Sequence, residues 1–171
     1  MYKEMRNGSV ALSWNIADFY DLDYKQDTIK TSYQLHEFAS SGHNLDRMVI
    51  YNYFEPNPMP PGVELVKQHF EKEYKCVSIA VNMFTPGTYV PYHNDLYQRY
   101  RQVNNISNAQ PIYRFVVMLD DGAHGQMLHI GENIHYLWQA GDYFGWINDQ
   151  IHSSYNMSNT NRYALQVTAT K

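Results

Sequence analysis

Tyr89-Val90-Pro91-Tyr92-His93-Asn94-Asp95 ends an apolar run on an imidazole and a carboxylate two positions apart. Side chains alternate across a strand, so His93 and Asp95 project from one face while Asn94 turns away. The pair is half of a metal site, because two histidines and one carboxylate with open coordination positions suit non-haem Fe(II). Alone, His-x-Asp fits equally well a surface turn in which Asp95 caps the following segment. The reading therefore depends on a second histidine, and on a fold that brings it near.

Working outward, the chain from Cys76 to Lys171 breaks into short β-branched and aromatic runs at 77–84, 88–95, 113–119, 126–130, 134–138, 142–147, 152–157 and 162–170. Turn residues separate several of them: Pro86-Gly87, Asp120-Asp121-Gly122, Gly131-Glu132-Asn133, Gly141 and Ser158-Asn159-Thr160-Asn161. Eight short antiparallel strands predict a mainly β fold, a jelly roll or small barrel-like sandwich. No helix is expected in this region. The long polar gap 96–111 follows His-x-Asp directly and reads as a lid or binding loop, with Tyr97, Arg99, Tyr100 and Arg101 as candidate substrate contacts or as a solvated surface.

The first third reads as a cover on one outer face of the sheet, within a single domain of 171 residues. Residues 1–26 show no clear period. Asp27 is placed as the N-cap of a helix from Thr28 to Phe38, stopped by Ser40-Ser41-Gly42. Met48 to Phe54 reads as a strand. Val63 to Glu73 reads as the best helix, with Val63, Val66 and Phe70 on one side.

Composition narrows the function. The net charge is −4 and the 13 basic residues form no run, so no nucleic acid or anionic membrane partner is expected. A single cysteine, Cys76, excludes an internal disulfide and a thiolate zinc site. Met1 to Val10 lacks the apolar core of a signal peptide, and no stretch reaches the roughly eighteen apolar residues of a membrane span. The expectation is a soluble, cytoplasmic protein.

Of the remaining histidines, His36 and His69 fall on helices and His43 just beyond one. His124, His129 and His135 lack the spacing that joins ligands on one element. His152 opens the seventh of the eight strands. In a jelly roll the second and seventh strands can be neighbours, so His93, Asp95 and His152 can meet at one mouth of the barrel.

Taken together, Pro86-Gly87, Pro91, His93-Asn94-Asp95, Arg114, Gly141-Asp142, His152 and Arg162 resemble the Fe(II)- and 2-oxoglutarate-dependent oxygenases. The resemblance covers about residues 76–171, the region of the eight strands. It is most similar to the aspartyl/asparaginyl hydroxylase branch in the run Tyr113-Arg114-Phe115-Val116-Val117-Met118-Leu119 and in the tail after Gly141. That branch often lacks an acidic ligand and carries histidine where this chain has Val116. Prolyl hydroxylases keep His-x-Asp but usually place lysine at the position of Arg162.

The resemblance implies a double-stranded β-helix in which His93, Asp95 and His152 hold Fe(II). It further implies 2-oxoglutarate and dioxygen as co-reactants and a peptide or amino-acid substrate hydroxylated at an aliphatic carbon. Arg162 would bind the far carboxylate of 2-oxoglutarate through its planar fork, or is an ordinary charge after a polar turn. Arg114, inside an apolar strand, needs a buried anion: cosubstrate, substrate, or an internal Asp or Glu. Tyr113, with Tyr92 and Trp146, is a candidate for the cofactor pocket or for the core. Two other readings remain open: a cupin-like metal-dependent isomerase or hydrolase that needs no arginine at 162, and a non-enzymatic jelly-roll binding module.

Overall fold

The computed structural model describes residues 5–28, 32–55, 57–148 and 150–171. In chain order the strands are β1 (Arg6–Ser9), β2 (Lys25–Thr28), β3 (Val49–Phe54), β4 (Lys75–Phe84), β5 (Thr88–His93), β6 (Tyr113–Met118), β7 (Gln126–Ile130), β8 (Asn133–His135), β9 (Asp142–Ile147), β10 (His152–Asn156) and β11 (Arg162–Thr170). The helices are α1 (Ser32–Ser40), α2 (Val63–Glu71) and α3 (Gln98–Asn104). The eight strands expected from the sequence are β4 to β11, each within a few residues of its expected bounds.

They make two antiparallel sheets. The larger runs β1-β9-β6-β11-β4-β3-β2 and the smaller β5-β10-β7-β8. The fold is a double-stranded β-helix, and the period-2 alternation of its strands decides what each face does. On β11, Tyr163, Leu165 and Val167 join an outer apolar cluster with Ile79, Val81 and Phe115. Their alternates Arg162, Ala164 and Gln166 face a cavity between the sheets. A second cluster, of Met118, Leu128, Ile130, Trp138, Trp146 and Ala164, fills the space between the sheets beside that cavity.

The first third of the chain does more than cover one face. α2 packs on the outer face of the large sheet through Val63, Val66 and Phe70, whose ring lies 4.7 Å from that of Phe115. Gly62 begins that helix at φ 87°, and a Cβ there would sit 1.9 Å from the Ser13 carbonyl oxygen, so only glycine fits the turn. β1 pairs with β9 at one edge of the large sheet, while β3 and β2 extend the other edge beyond β4. The segment expected to be irregular thus supplies two strands. The first helix begins at Ser32 rather than Thr28, because Thr28 belongs to β2; residues 29–31 lie outside the described residues.

The gap 96–111 also departs from expectation, since it holds α3. Tyr97 and Asn105 flank it in the left-handed region at φ 54° and 55°. Asn105 N–H donates to the Arg101 and Gln102 carbonyls, the C-terminal closure that asparagine permits. Tyr100 Oη–H donates to the Cys76 carbonyl, and Arg101 bonds the Ser107 and Gln110 carbonyls, so these two side chains tie the segment down. Among the described residues no helix is long and apolar enough to cross a membrane.

Candidate metal centre

β5 and β10 are neighbours, and their register places His93 directly opposite His152 with ring centroids 4.2 Å apart. Asp95 lies two residues further along, just beyond the end of β5. One ligand atom from each of the three side chains lies within 4.8 Å of the others, the one such grouping of His, Cys, Asp or Glu among the described residues. The expected convergence is therefore present as geometry.

Each imidazole is oriented by its own backbone. Nδ1 of His93 lies 2.9 Å from the Pro91 carbonyl oxygen, and Nδ1 of His152 lies 2.9 Å from that of Gln150. A carbonyl only accepts, so Nδ1 carries the proton and the Nε2 lone pair is left for an ion. The Nε2 atoms lie 3.6 Å and 3.7 Å from the Asp95 carboxylate oxygens. Burial pushes His152 down to about 4, with the neighbouring His93 adding to the shift. Its imidazole is thus neutral at physiological pH, the form that ligates.

Asp95 is paired with Arg114 at 3.0 Å. Burial alone would raise the carboxyl, but Arg114 and the two histidines outweigh it and hold Asp95 well below the usual carboxylate range. Arg114 donates to Thr168 Oγ1 at 2.7 Å, and its guanidinium lies over the Tyr97 ring at 5.0 Å. Of the anions considered for Arg114, an internal aspartate pairs with it.

The cavity in front of the triad has a volume of about 380 Å³, and Arg114, Trp146 and Arg162 all line it. Arg162 is 1% exposed. Its Nη1 donates to the Met127 and Tyr155 carbonyls and its Nη2 to Ser154 Oγ, while its face lies over the Phe84 ring at 4.2 Å. Nε has no hydrogen-bond partner, and no carboxylate of the described residues lies within ion-pair distance. Burial lowers its pKa to about 10, with Asp120 the anion that opposes the shift. Here is a buried cation whose close partners are all neutral.

Tyr113 is not in the cavity. It precedes Arg114 on β6, and alternation sends it to the outer face, where its ring centroid lies 5.1 Å from that of Tyr74. Tyr92 is 48% exposed on the outside of the small sheet and bonds His129. Tyr97 and Leu96 do reach the site, the first over Arg114 and the second on the cavity wall. Asn82, Asn52, Asp27 and Ser154 also line the cavity and were not singled out as site residues. Asn82, a buried amide inside the apolar β4, and Ser154, two residues after His152 and so on its face, carried signals that alternation makes readable.

No protein-family model and no curated protein matches the sequence. Similarity appears in three dimensions. A prolyl-4-hydroxylase from Pseudomonas putida superposes with TM-score 0.57 at 10% identity, over 91% of this chain and 96% of that one. A 2OG-Fe(II) oxygenase family oxidoreductase from Burkholderia pseudomallei gives 0.56 at 11%, over 91% and 76%. At such identities the likeness is one of fold.

Proposed function

We propose that the protein is an Fe(II)- and 2-oxoglutarate-dependent dioxygenase that hydroxylates an aliphatic carbon of a peptidyl or free amino-acid side chain. The residues present fit both groups. Two imidazoles whose Nδ1 atoms are engaged by backbone carbonyls, leaving Nε2 toward the site, and one carboxylate form a donor set suited to Fe(II). When bound, metal and cosubstrate would supply, with dioxygen as the oxidant, the decarboxylation of 2-oxoglutarate to succinate and carbon dioxide, one oxygen atom entering succinate and the other a substrate C–H bond.

The protein's own part is placement. His93, Asp95 and His152 would hold the metal, and Arg114 keeps Asp95 charged and in position. Arg162 would take the far carboxylate of 2-oxoglutarate. Ser154 would assist, because its oxygen accepts from Arg162 and its own proton is left to donate. Val116, Leu128 and Trp146 present apolar surface to the cavity and limit water there.

The observation that carries this reading is Arg162. A buried guanidinium held only by neutral oxygens lowers its energy by gaining an anion, and it lines the same cavity as the triad. An isomerase or hydrolase using the same three ligands has no such need. The test is anaerobic titration of the Fe(II)-loaded protein with 2-oxoglutarate. The expected result is the weak visible charge-transfer band of the chelate; bound metal with no band overturns the proposal.

A further inference from the structure

We infer that the substrate enters this cavity with a hydrogen-bond-donating head, an ammonium, guanidinium or amide N–H, received by Asn82 Oδ1. This rests on reading the cavity as the place of reaction. It concerns the side of the large sheet where β2 and β3 extend it beyond β4.

Three polar side chains cross that edge on the cavity face. Asn82 on β4 stands directly opposite Asn52 on β3, and Asp27 on β2 lies diagonal to Asn52. Asn82 is 4% exposed and Asn52 6%, and all three line the cavity. Asn82 Nδ2 donates to Asn52 Oδ1 at 2.7 Å, and Asn52 Nδ2 donates to Asp27 Oδ2 at 3.4 Å.

The direction of this chain is dictated at its outer end. A carboxylate accepts hydrogen bonds and does not donate them, so Asn52 must turn its amino group to Asp27 and its oxygen to Asn82. Asn82 must then turn its amino group to Asn52. What remains on Asn82 is one N–H of the amino group and Oδ1, which has no hydrogen-bond partner among the described residues. Two amides thus relay the acceptor character of a carboxylate into the cavity, and linked hydrogen bonds polarise one another in the same sense.

Asn82 is 4% exposed and lines the cavity, so a donor for Oδ1 reaches it from the cavity side. 2-Oxoglutarate as a dianion has no donor to offer, so the cosubstrate leaves Asn82 Oδ1 unanswered. Once substrate displaces water from this end of the cavity, the donor comes from the substrate. Ile50, Phe54 and Leu96, which also line the cavity, provide apolar surface for the carbon chain behind such a head.

The test is binding of three probes to the 171-residue chain, followed by ligand-observed NMR: n-butylammonium, N-methylbutyramide and methyl butyrate. The last two differ only by N–H against O. At least one donor probe is expected to bind at least tenfold more tightly than the ester, and the order of the two donor probes separates a cationic from a neutral head. Asn82→Leu should abolish the preference. Asp27→Asn, a near-isosteric change, lets the amide chain reverse and should reduce the preference to below threefold. Equal affinities in the wild type, no binding by any probe, or a preference unchanged in both variants overturns the inference. The charge-transfer band with 2-oxoglutarate is recorded on the same preparation. A preference without the band overturns only the oxygenase reading, and the band without a preference overturns only this inference.

Discussion

The Arg114 guanidinium lies 3.0 Å from the Asp95 carboxylate, so one member of the proposed metal triad has a fixed positive charge behind it whether or not an ion is bound. Removing one partner of a buried pair leaves the other charge uncompensated, which costs roughly 3–5 kcal/mol. Asp95 is partly accessible, which puts Arg114→Met near the lower figure. A divalent ion replaces part of the lost charge. Saturating Zn(II) should therefore raise the melting temperature of Arg114→Met by more than it raises that of the wild type. Equal increments would show that Arg114 does not support Asp95.

The triad predicts one equivalent of bound divalent ion. His93→Ala or His152→Ala should abolish that binding, measured by calorimetry, while the far-ultraviolet circular dichroism stays that of the wild type. Undiminished binding by His152→Ala would remove β10 from the centre.

For Arg162 the prediction concerns the cosubstrate. A charge-assisted pair contributes about 1.5–3 kcal/mol, with more lost when the carboxylate is left unpaired. Arg162→Ala should raise the 2-oxoglutarate concentration needed for turnover by roughly tenfold to a few hundredfold. Metal affinity should hardly change. Lysine should rescue only in part, since it keeps the charge and loses the fork. An unaltered concentration dependence in the alanine variant would place the anchor elsewhere.

A pH dependence follows from His152 in the metal-free protein. Its folded pKa, about 4, lies below the unfolded value of 6.5, so the unfolded chain takes up a proton first. Stability is then fully present above about pH 6.5 and is lost as pH falls through the folded value. Across that window the loss is of the order of 3 kcal/mol. Denaturant unfolding of wild type and His152→Gln between pH 7 and 4 checks the sign: the wild type should lose more of its stability as the solution is acidified.

Much of this was readable because alternation in antiparallel strands leaves a clear trace. His93 and Asp95 were placed on one face by their spacing, and His152 by the adjacency of the second and seventh strands, which appears as the pairing of β5 with β10. The same parity rule excludes Tyr113 from the cavity once Arg114 points in. β1 is Arg-Asn-Gly-Ser, which has no apolar pattern; it is a strand because β9 offers an edge to pair with. α3 has no buried residue and so no stripe to detect, and Asn105 at its end was its main local signal. The Asn82–Asn52–Asp27 chain joins residues far apart in sequence, and only the pairing of β2, β3 and β4 brings them together.

β10 carries His152 and Ser154 on one face, and Ser154 bonds Arg162. Two residues of strand rise about 6.6–6.8 Å, so the backbone sets the spacing between the proposed metal ligand and the proposed anchor for the far carboxylate. The register of β10 with β7 is continuous across this interval, and the irregularity falls on the β5 side. Under the proposed function, peptide geometry would help to gauge chain length in the cosubstrate. Keto acids one carbon shorter or longer would then meet a mismatch in spacing, because the strand cannot be stretched or compressed by one methylene.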